Sequence, residues 1–254
     1  MAPPLTVWCP PGITTTDLFV VPALLALMIA TSIVDLLMGG HLHDSLGIQP
    51  RTLAGLPGIF CAPFLHMSYA HLAGNMAPLA VMSVLLLLRL AANHTPAWRA
   101  FVGLCGTMAL SGNIAVWLVA RPNSNHAGAS GLVFSLAGLL LGSGVFAAFS
   151  MGWPPQCSLS AALSVACTGL TFALYGGLLW GLAPTTWIAE WGVSWEGHTA
   201  GFVTGVLAAW VLVRHENGRL PSWVSRAVFG SGALLIGATP PLPVAQSVRY
   251  GTVS

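Results

Sequence analysis

The segment GASGLVFSLAGLLLGSGVFAAF, residues 128–149, carries no charged residue and no proline. An α-helix rises about 1.5 Å per residue, so about 20 apolar residues suffice to cross the hydrocarbon core of a bilayer. The segment therefore predicts a membrane-spanning helix. Its first turn, however, places Ser130 between small residues, and polar groups inside a membrane are costly and usually functional.

Five further segments share this length and apolar character. They lie at about residues 17–38, 71–91, 98–120, 159–182 and 197–214. The composition also indicates a membrane protein, because 56% of the residues are hydrophobic, 6% are charged and the mean hydropathy is +0.81. A soluble domain carries about 25% charged residues, and a net charge of +2 is too small for a phosphate-binding surface. These values exclude an ordinary soluble domain, an intrinsically disordered chain and a nucleic-acid-binding protein.

The six segments predict an all-α fold, a polytopic transmembrane helical bundle with a six-helix core. The core occupies residues 17–214, after an N-terminal segment, residues 1–16, which we expect on the cytoplasmic side. A C-terminal tail, residues 215–254, completes the chain. Residues 227–243 of this tail are apolar but interrupted by three prolines. They either span the membrane a seventh time or lie in its interface.

The distribution of arginine sets the expected orientation, because cytoplasmic loops are enriched in Lys and Arg. With the N-terminus inside, five arginines fall on the cytoplasmic side and two on the outer side. The five are Arg89, Arg99, Arg214, Arg219 and Arg226, and the two are Arg51 and Arg121.

The chain has no lysine and is rich in Ala, Gly and Arg. This composition is typical of a bacterium with a GC-rich genome, so we expect the protein in the plasma membrane.

Three clusters of polar or small residues lie at the starts of the second, fourth and sixth spans. They are His71 with Asn75, Gly128 to Gly131, and His198 with Gly197, Gly201 and Gly205. Alternate spans begin on the same side of the membrane, so topology alone places the clusters at one depth, near the outer surface. Each cluster alone has a simpler explanation, since a serine at a helix start is usually an N-cap and Gly-x-x-x-Gly usually serves packing. Their shared depth favours one common site.

Small residues also recur along the fourth and sixth spans. They are Gly131, Ser135, Gly138 and Gly142 on one, and Gly197, Gly201 and Gly205 on the other. Such stripes let two helix backbones approach closely in lipid. If the stripes face each other, Ser130 and His198 come within hydrogen-bonding reach, which is the arrangement that a serine nucleophile requires of its base.

These residues resemble the rhomboid family of intramembrane serine proteases, motif by motif. The motifs are His71-x-x-x-Asn75, Gly128-x-Ser130-Gly131 and His198-x-x-Gly201-x-x-x-Gly205. The resemblance covers about residues 17–214, and the phrases APFLH (62–66) and HAGASGLVF (126–134) also resemble bacterial members. In one departure, many members have Trp-Arg in the first long loop, whereas Arg51 here follows a proline.

The resemblance implies a Ser–His dyad without an acidic third member. Ser130 would be the nucleophile, and His198 would take its proton and later donate it to the leaving amine. His71, Asn75 and the backbone N–H of Ser130 would hold the oxyanion. Phe134, one turn after Ser130, would pack on the His198 ring. The glycines of the motifs would support these side chains: Gly128, Gly131, Gly201 and Gly205.

The resemblance also implies the substrate, a transmembrane helix of another protein that enters sideways from the lipid and unwinds near the cut site. No cofactor, metal or nucleic-acid partner is implied. The fifth span and its following loop, with Trp187, Trp191 and Trp195, would form the lateral gate. His126, close to the serine, either binds substrate or shapes its loop. The sequence carries no signal for an oligomeric state.

Other classes of membrane protein fit the sequence less well. It contains neither the His-Glu-x-x-His of zinc proteases nor the Gly-x-Gly-Asp of paired-aspartate proteases. His41-x-His43 lacks a convincing third metal ligand nearby. A transporter would need two related halves and a polar midplane site, and the spans hold almost no midplane charge. The remaining alternative is a catalytically weak or inactive rhomboid-like protein that binds membrane clients, although such relatives lack the serine or the histidine.

Overall fold

The computed structural model describes residues 13–94, 96–150, 159–183 and 194–229. Its helices are α1 (Asp17–Leu37), α2 (His41–Leu46), α3 (Gly58–Cys61), α4 (Tyr69–Leu90), α5 (Ala97–Val119), α6 (Ser130–Ser150), α7 (Leu159–Tyr175), α8 (Trp195–Glu216) and α9 (Ser222–Phe229). Two 3₁₀ segments, Ala62–Phe64 and Gly176–Leu182, directly continue α3 and α7. Within these ranges, β structure is limited to an isolated antiparallel bridge between Ile48 and His126.

In the described part of the chain, six helices are long and apolar enough to cross a membrane. They are α1, α4, α5, α6, α7 with its 3₁₀ continuation, and α8. Because they lie within a few residues of the six predicted spans, the all-α transmembrane bundle is confirmed, and the protein is an integral membrane protein. Most of residues 227–243 lie outside the described residues, as do residues 1–12, so the seventh span stays a prediction.

Helix α6 lies at the centre of the bundle. About three quarters of its spanning segment (72%) is buried inside the protein, against 17–50% of the other five. It packs on α8, α7, α4 and α5. A helix that is apolar on all sides is expected to be enclosed by its neighbours, so the composition of residues 128–149 explains this central position.

The stripes of small residues on α6 and α8 lie against each other. A side chain on Gly201 would overlap the carbonyl oxygen of Gly131, and one on Gly205 would overlap that of Ser135. On α6, a side chain on Gly138 would meet the backbone of Phe202 in the same way. Without a hydrophobic force between helices in lipid, backbone contacts of this kind hold the pair together by close packing. They bring the N-terminal ends of α6 and α8 side by side.

The long connection between α1 and α4 packs on the C-terminal end of α5. The Arg51 guanidinium donates to the carbonyl oxygens of Leu118 and Ala120 at 3.0 and 2.8 Å, and the Trp117 indole donates to the Thr52 carbonyl at 3.0 Å. At the start of this connection the buried Asp35 accepts the Nδ1–H of His43 at 2.8 Å. The connection is therefore an ordered cover over the end of the bundle where the three clusters lie.

Candidate active site

The turn before Ser130 is held by three backbone features. Gly128 has a φ of +129°, and a Cβ there would lie 2.6 Å from the His71 ring, so only glycine fits. The Gly128 N–H donates to the Ala62 carbonyl at 2.8 Å. The Ala129 N–H donates to Nε2 of His66 at 3.1 Å. Ser130 then begins α6, and its own N–H has no acceptor within the helix.

His198 lies in the first turn of α8, next to the start of α6. Its ring stacks on Phe134 with 4.1 Å between the ring centroids and 10° between the planes. Its Nδ1 lies 3.1 Å from the carbonyl oxygen of Gly181, in the 3₁₀ continuation of α7. The imidazole is therefore buried, with one face held by the Phe134 ring and its Nδ1 held by the Gly181 carbonyl.

His71 and Asn75 occupy one face of α4, one turn apart. Among the described residues, the buried Nδ1 of His71 and Nδ2 of Asn75 have no hydrogen-bond partner. Buried polar atoms without partners cost about 1–3 kcal/mol each, so such a pair points to a group that binds there during function. The His71 ring also contacts Gly128, two residues before Ser130.

Within the described ranges, the Ser130 hydroxyl makes no hydrogen bond, and its bond to His198 stays a prediction. Ser130 lines a cavity of about 30 Å³ between α5, α6 and α8. Asn113, Ser135 and Ser194 also line this cavity, which has room for about one water molecule. Catalytic hydrogen bonds are often long in the absence of substrate and shorten in the complex.

His66 is a site residue that the sequence analysis did not assign. Because Nε2 accepts the Ala129 N–H, Nδ1 must carry the proton, and it donates to the Ser32 hydroxyl at 2.8 Å. Ser32 in turn donates to the Phe64 carbonyl at 3.1 Å. Burial, and then repulsion from His71, lower the pKa of His66 to about 4. A neutral His66 therefore connects α1 to the turn before Ser130. Its one signal in the sequence is a histidine in an apolar phrase.

We expect His66→Leu to lower the free energy of unfolding by about 1–3 kcal/mol, because the buried Ala129 N–H loses its acceptor. His66→Gln, which keeps an acceptor, should lose less. His66 takes up a proton near pH 6.5 in the unfolded chain and near pH 4 in the folded chain. Wild-type stability should therefore fall by up to about 3 kcal/mol as the pH drops through this interval, whereas His66→Gln should lack this component. Unfolding in detergent at several pH values measures both effects, and equal pH slopes would contradict the assignment.

His126 joins three segments around the site. Its backbone pairs with Ile48 in both directions, at 2.9 and 3.0 Å. Its ring bonds Ser124 at 2.8 Å and Ser194, the N-cap of α8, at 2.7 Å. Burial is the main cause that lowers its pKa. Of the two roles expected for His126, these contacts favour shaping of the loop.

The remaining expectations concern the gate. Trp187 and Trp191 lie outside the described residues, and Trp195 begins α8. The C-terminal end of α7 reaches the site through its 3₁₀ continuation, because the carbonyls of Gly181 and Leu182 contact His198 and Thr199. The structure thus stacks Phe134 on His198 and places His71 and His66 against the turn that precedes Ser130.

Comparison with known proteins gives two findings. The sequence profile of the Rhomboid domain matches residues 54–215. The chain is also 33% identical over 193 residues to the uncharacterized protein Rv1337 of Mycobacterium tuberculosis and the uncharacterized protein Mb1372 of Mycobacterium bovis. In each case the alignment covers 76% of this chain and 73% of the relative. The family match includes all three motif clusters.

Proposed function

Because the chain belongs to the rhomboid family, we propose that it is an intramembrane serine endopeptidase with Ser130 as nucleophile and His198 as general base. The observation that carries this proposal is the pair of buried, unpartnered nitrogens of His71 and Asn75 on the helix face beside the Ser130 turn. Donors kept free at a nucleophile are what an oxyanion hole requires, because they bind charge that develops only in the transition state.

The reaction follows from these roles. His198 takes the Ser130 proton at Nε2 while Oγ attacks the scissile carbonyl carbon. The carbonyl oxygen becomes an oxyanion that accepts from His71, Asn75 and the Ser130 N–H. His198 then gives its proton to the leaving amine as the C–N bond breaks. A water molecule then attacks the acyl carbon while the same imidazole takes its proton. The ester C–O bond breaks, the imidazolium returns the proton to the Ser130 oxygen, and the carboxylic acid product leaves.

The membrane context defines the substrate class. We infer that the substrate is a transmembrane helix of another protein, entering from the lipid between α4 and α7 and unwinding at residues with weak helix propensity. Water reaches the helix ends from the aqueous side, since the hydrocarbon core contains none. With the N-terminus in the cytoplasm, as the arginine distribution predicts, the site opens toward the outer face of the plasma membrane.

A fluorophosphonate probe tests the nucleophile directly. We expect the purified full chain in detergent to become labelled, with mass spectrometry locating the adduct on Ser130, and Ser130→Ala to remain unlabelled. Ser135→Ala is the matched control, because Ser135 lies on the same helix and lines the same cavity. Its hydroxyl donates to the Gly131 carbonyl at 2.9 Å, and its loss should leave labelling unchanged.

Two outcomes would contradict the proposal. Labelling that survives Ser130→Ala would identify another nucleophile. Absence of labelling in wild-type protein that unfolds cooperatively on heating would favour the alternative, a rhomboid-like protein that binds membrane clients without cleaving them. The names of the two relatives, both uncharacterized proteins, favour neither alternative. The labelling measurement therefore distinguishes a serine endopeptidase from a client-binding protein.

A further inference from the structure

The hydrogen bond between His198 and Gly181 fixes the tautomer of the imidazole. A carbonyl oxygen can only accept, so the Nδ1 that lies 3.1 Å from the Gly181 oxygen must carry the proton when the ring is neutral. The lone pair then lies on Nε2. A histidine that deprotonates a serine through Nε2 needs this tautomer.

The acceptor belongs to the C-terminal end of α7 and its 3₁₀ continuation. Gly181 and Leu182 end the 3₁₀ continuation of α7, where terminal carbonyls lack partners within their own helix. Two consecutive residues of α8 take up these two carbonyls, since Thr199 Oγ1 also donates to Leu182 at 3.3 Å. The C-terminal end of α7 is therefore bonded to the turn of α8 that carries the base.

Position 181 has no space for a side chain. A Cβ there would lie 2.9 Å from Phe134 Cζ and 3.1 Å from His198 Nδ1, tighter than ordinary van der Waals contact. Gly177, in the same 3₁₀ segment, has no atom within 4 Å of its would-be Cβ. Glycine at 181 thus lets the backbone approach the edge of the stacked Phe134 and His198 rings.

We propose that the Gly181 carbonyl is the positioning group of this site, which orients His198 as the carboxylate does in Ser–His–Asp triads. The inference rests on the proposed function. In a soluble protease of that type, replacing the Asp by Asn reverses the tautomer and lowers kcat about 10⁴-fold. Because α7 supplies the carbonyl, displacement of its C-terminal end removes the acceptor and inactivates the base, which couples the position of α7 to the reactivity of Ser130.

The test combines a spectroscopic and a kinetic measurement on the full chain in detergent. Nitrogen NMR of protein labelled at histidine, assigned with His198→Ala, is expected to show Nδ1–H and an unprotonated Nε2 for neutral His198. Gly181→Ala should lose this tautomer and slow fluorophosphonate labelling of Ser130 by about tenfold or more, with an altered pH profile. Gly177→Ala, the matched control, should keep the wild-type tautomer and labelling rate.

The measurements separate this inference from the proposed function. NMR reads the tautomer without any reaction, so a wild-type protein that fails to label refutes the protease proposal and not the orientation of His198. An Nε2–H tautomer in the wild type overturns the inference. A folded Gly181→Ala variant that keeps the wild-type tautomer, labelling rate and pH profile also overturns the inference. If Gly181→Ala does not fold, the wild-type spectrum and a second variant, Thr199→Val, test the inference. Thr199→Val should raise the population of the Nε2–H tautomer of His198.

Discussion

His198→Ala is expected to lower the rate of peptide-bond cleavage by about 10⁶-fold, and Ser130→Ala and the double variant should fall to the same rate. In a soluble Ser–His–Asp protease, loss of the serine or the histidine alone costs about as much as loss of the whole triad. The reason is chemical, since a serine hydroxyl is a weak nucleophile unless a base takes its proton as it attacks. The residues of the dyad therefore act as one unit.

The measurement is cleavage of a single-span substrate reconstituted with each variant in liposomes, with products identified by mass spectrometry. Substrate binding should change little, because the dyad acts on the reacting bond. His41→Ala is the control, because His41 is an exposed histidine of α2 at the same end of the bundle. It should cleave at the wild-type rate. If the double variant were slower than the wild type by the product of the two single effects, Ser130 and His198 would act independently and the dyad would be wrong.

The spans could be predicted because length and apolar composition are local properties of the chain. The segment at residues 128–149 becomes α6, Ser130–Ser150. The stripes of small residues that line α6 and α8 could also be read from their spacing, since side chains four positions apart share a helix face. Topology then placed the three motif clusters at one end of the bundle.

The contacts that position the site could not be predicted, because they join segments far apart in sequence. His66 accepts from Ala129, 63 positions away, and its apolar surroundings in sequence give no sign of this bond. The acceptor for His198 is a backbone carbonyl, which every residue carries, so no pattern distinguishes Gly181. Only the packing of α7 against α8 selects it.

Arg89 has a structural role that the enrichment of arginine in cytoplasmic loops does not predict. Arg89 is one of the five arginines from which the orientation is predicted. In the structure its side chain is only 1% exposed, and its two terminal nitrogens bind the carboxylate of Glu216, 127 positions along the chain. Its Nε also donates to the Ser164 hydroxyl at 3.0 Å, so Arg89 joins α4, α7 and α8 at the end of the bundle away from the site.

Arg89→Leu is expected to lower the free energy of unfolding by about 3–5 kcal/mol, because it leaves the carboxylate of Glu216 buried without its main partner. His94 remains near this carboxylate, but its Nε2 lies 3.5 Å from Oε1, farther than the guanidinium nitrogens of Arg89. Removing both charges should be far less harmful, since replacing a buried ion pair by apolar residues is often neutral or stabilising. Arg89→Leu with Glu216→Leu should therefore regain most of the lost stability.

Chemical or thermal unfolding in detergent measures the stability of both variants and of a control. Arg99→Leu is the matched control, because Arg99 lies exposed near the same end of the bundle, with its guanidinium 5.6 Å from the Trp98 ring. It should change stability by no more than about 0.5 kcal/mol. A double variant as unstable as Arg89→Leu would show that the loss comes from the packing of the arginine chain and its bond to Ser164, because the uncompensated charge would then be absent. Recovery in the double variant would instead show that charge neutrality at the junction of Arg89, Ser164 and Glu216, more than any single contact, holds α4, α7 and α8 together at this end of the bundle.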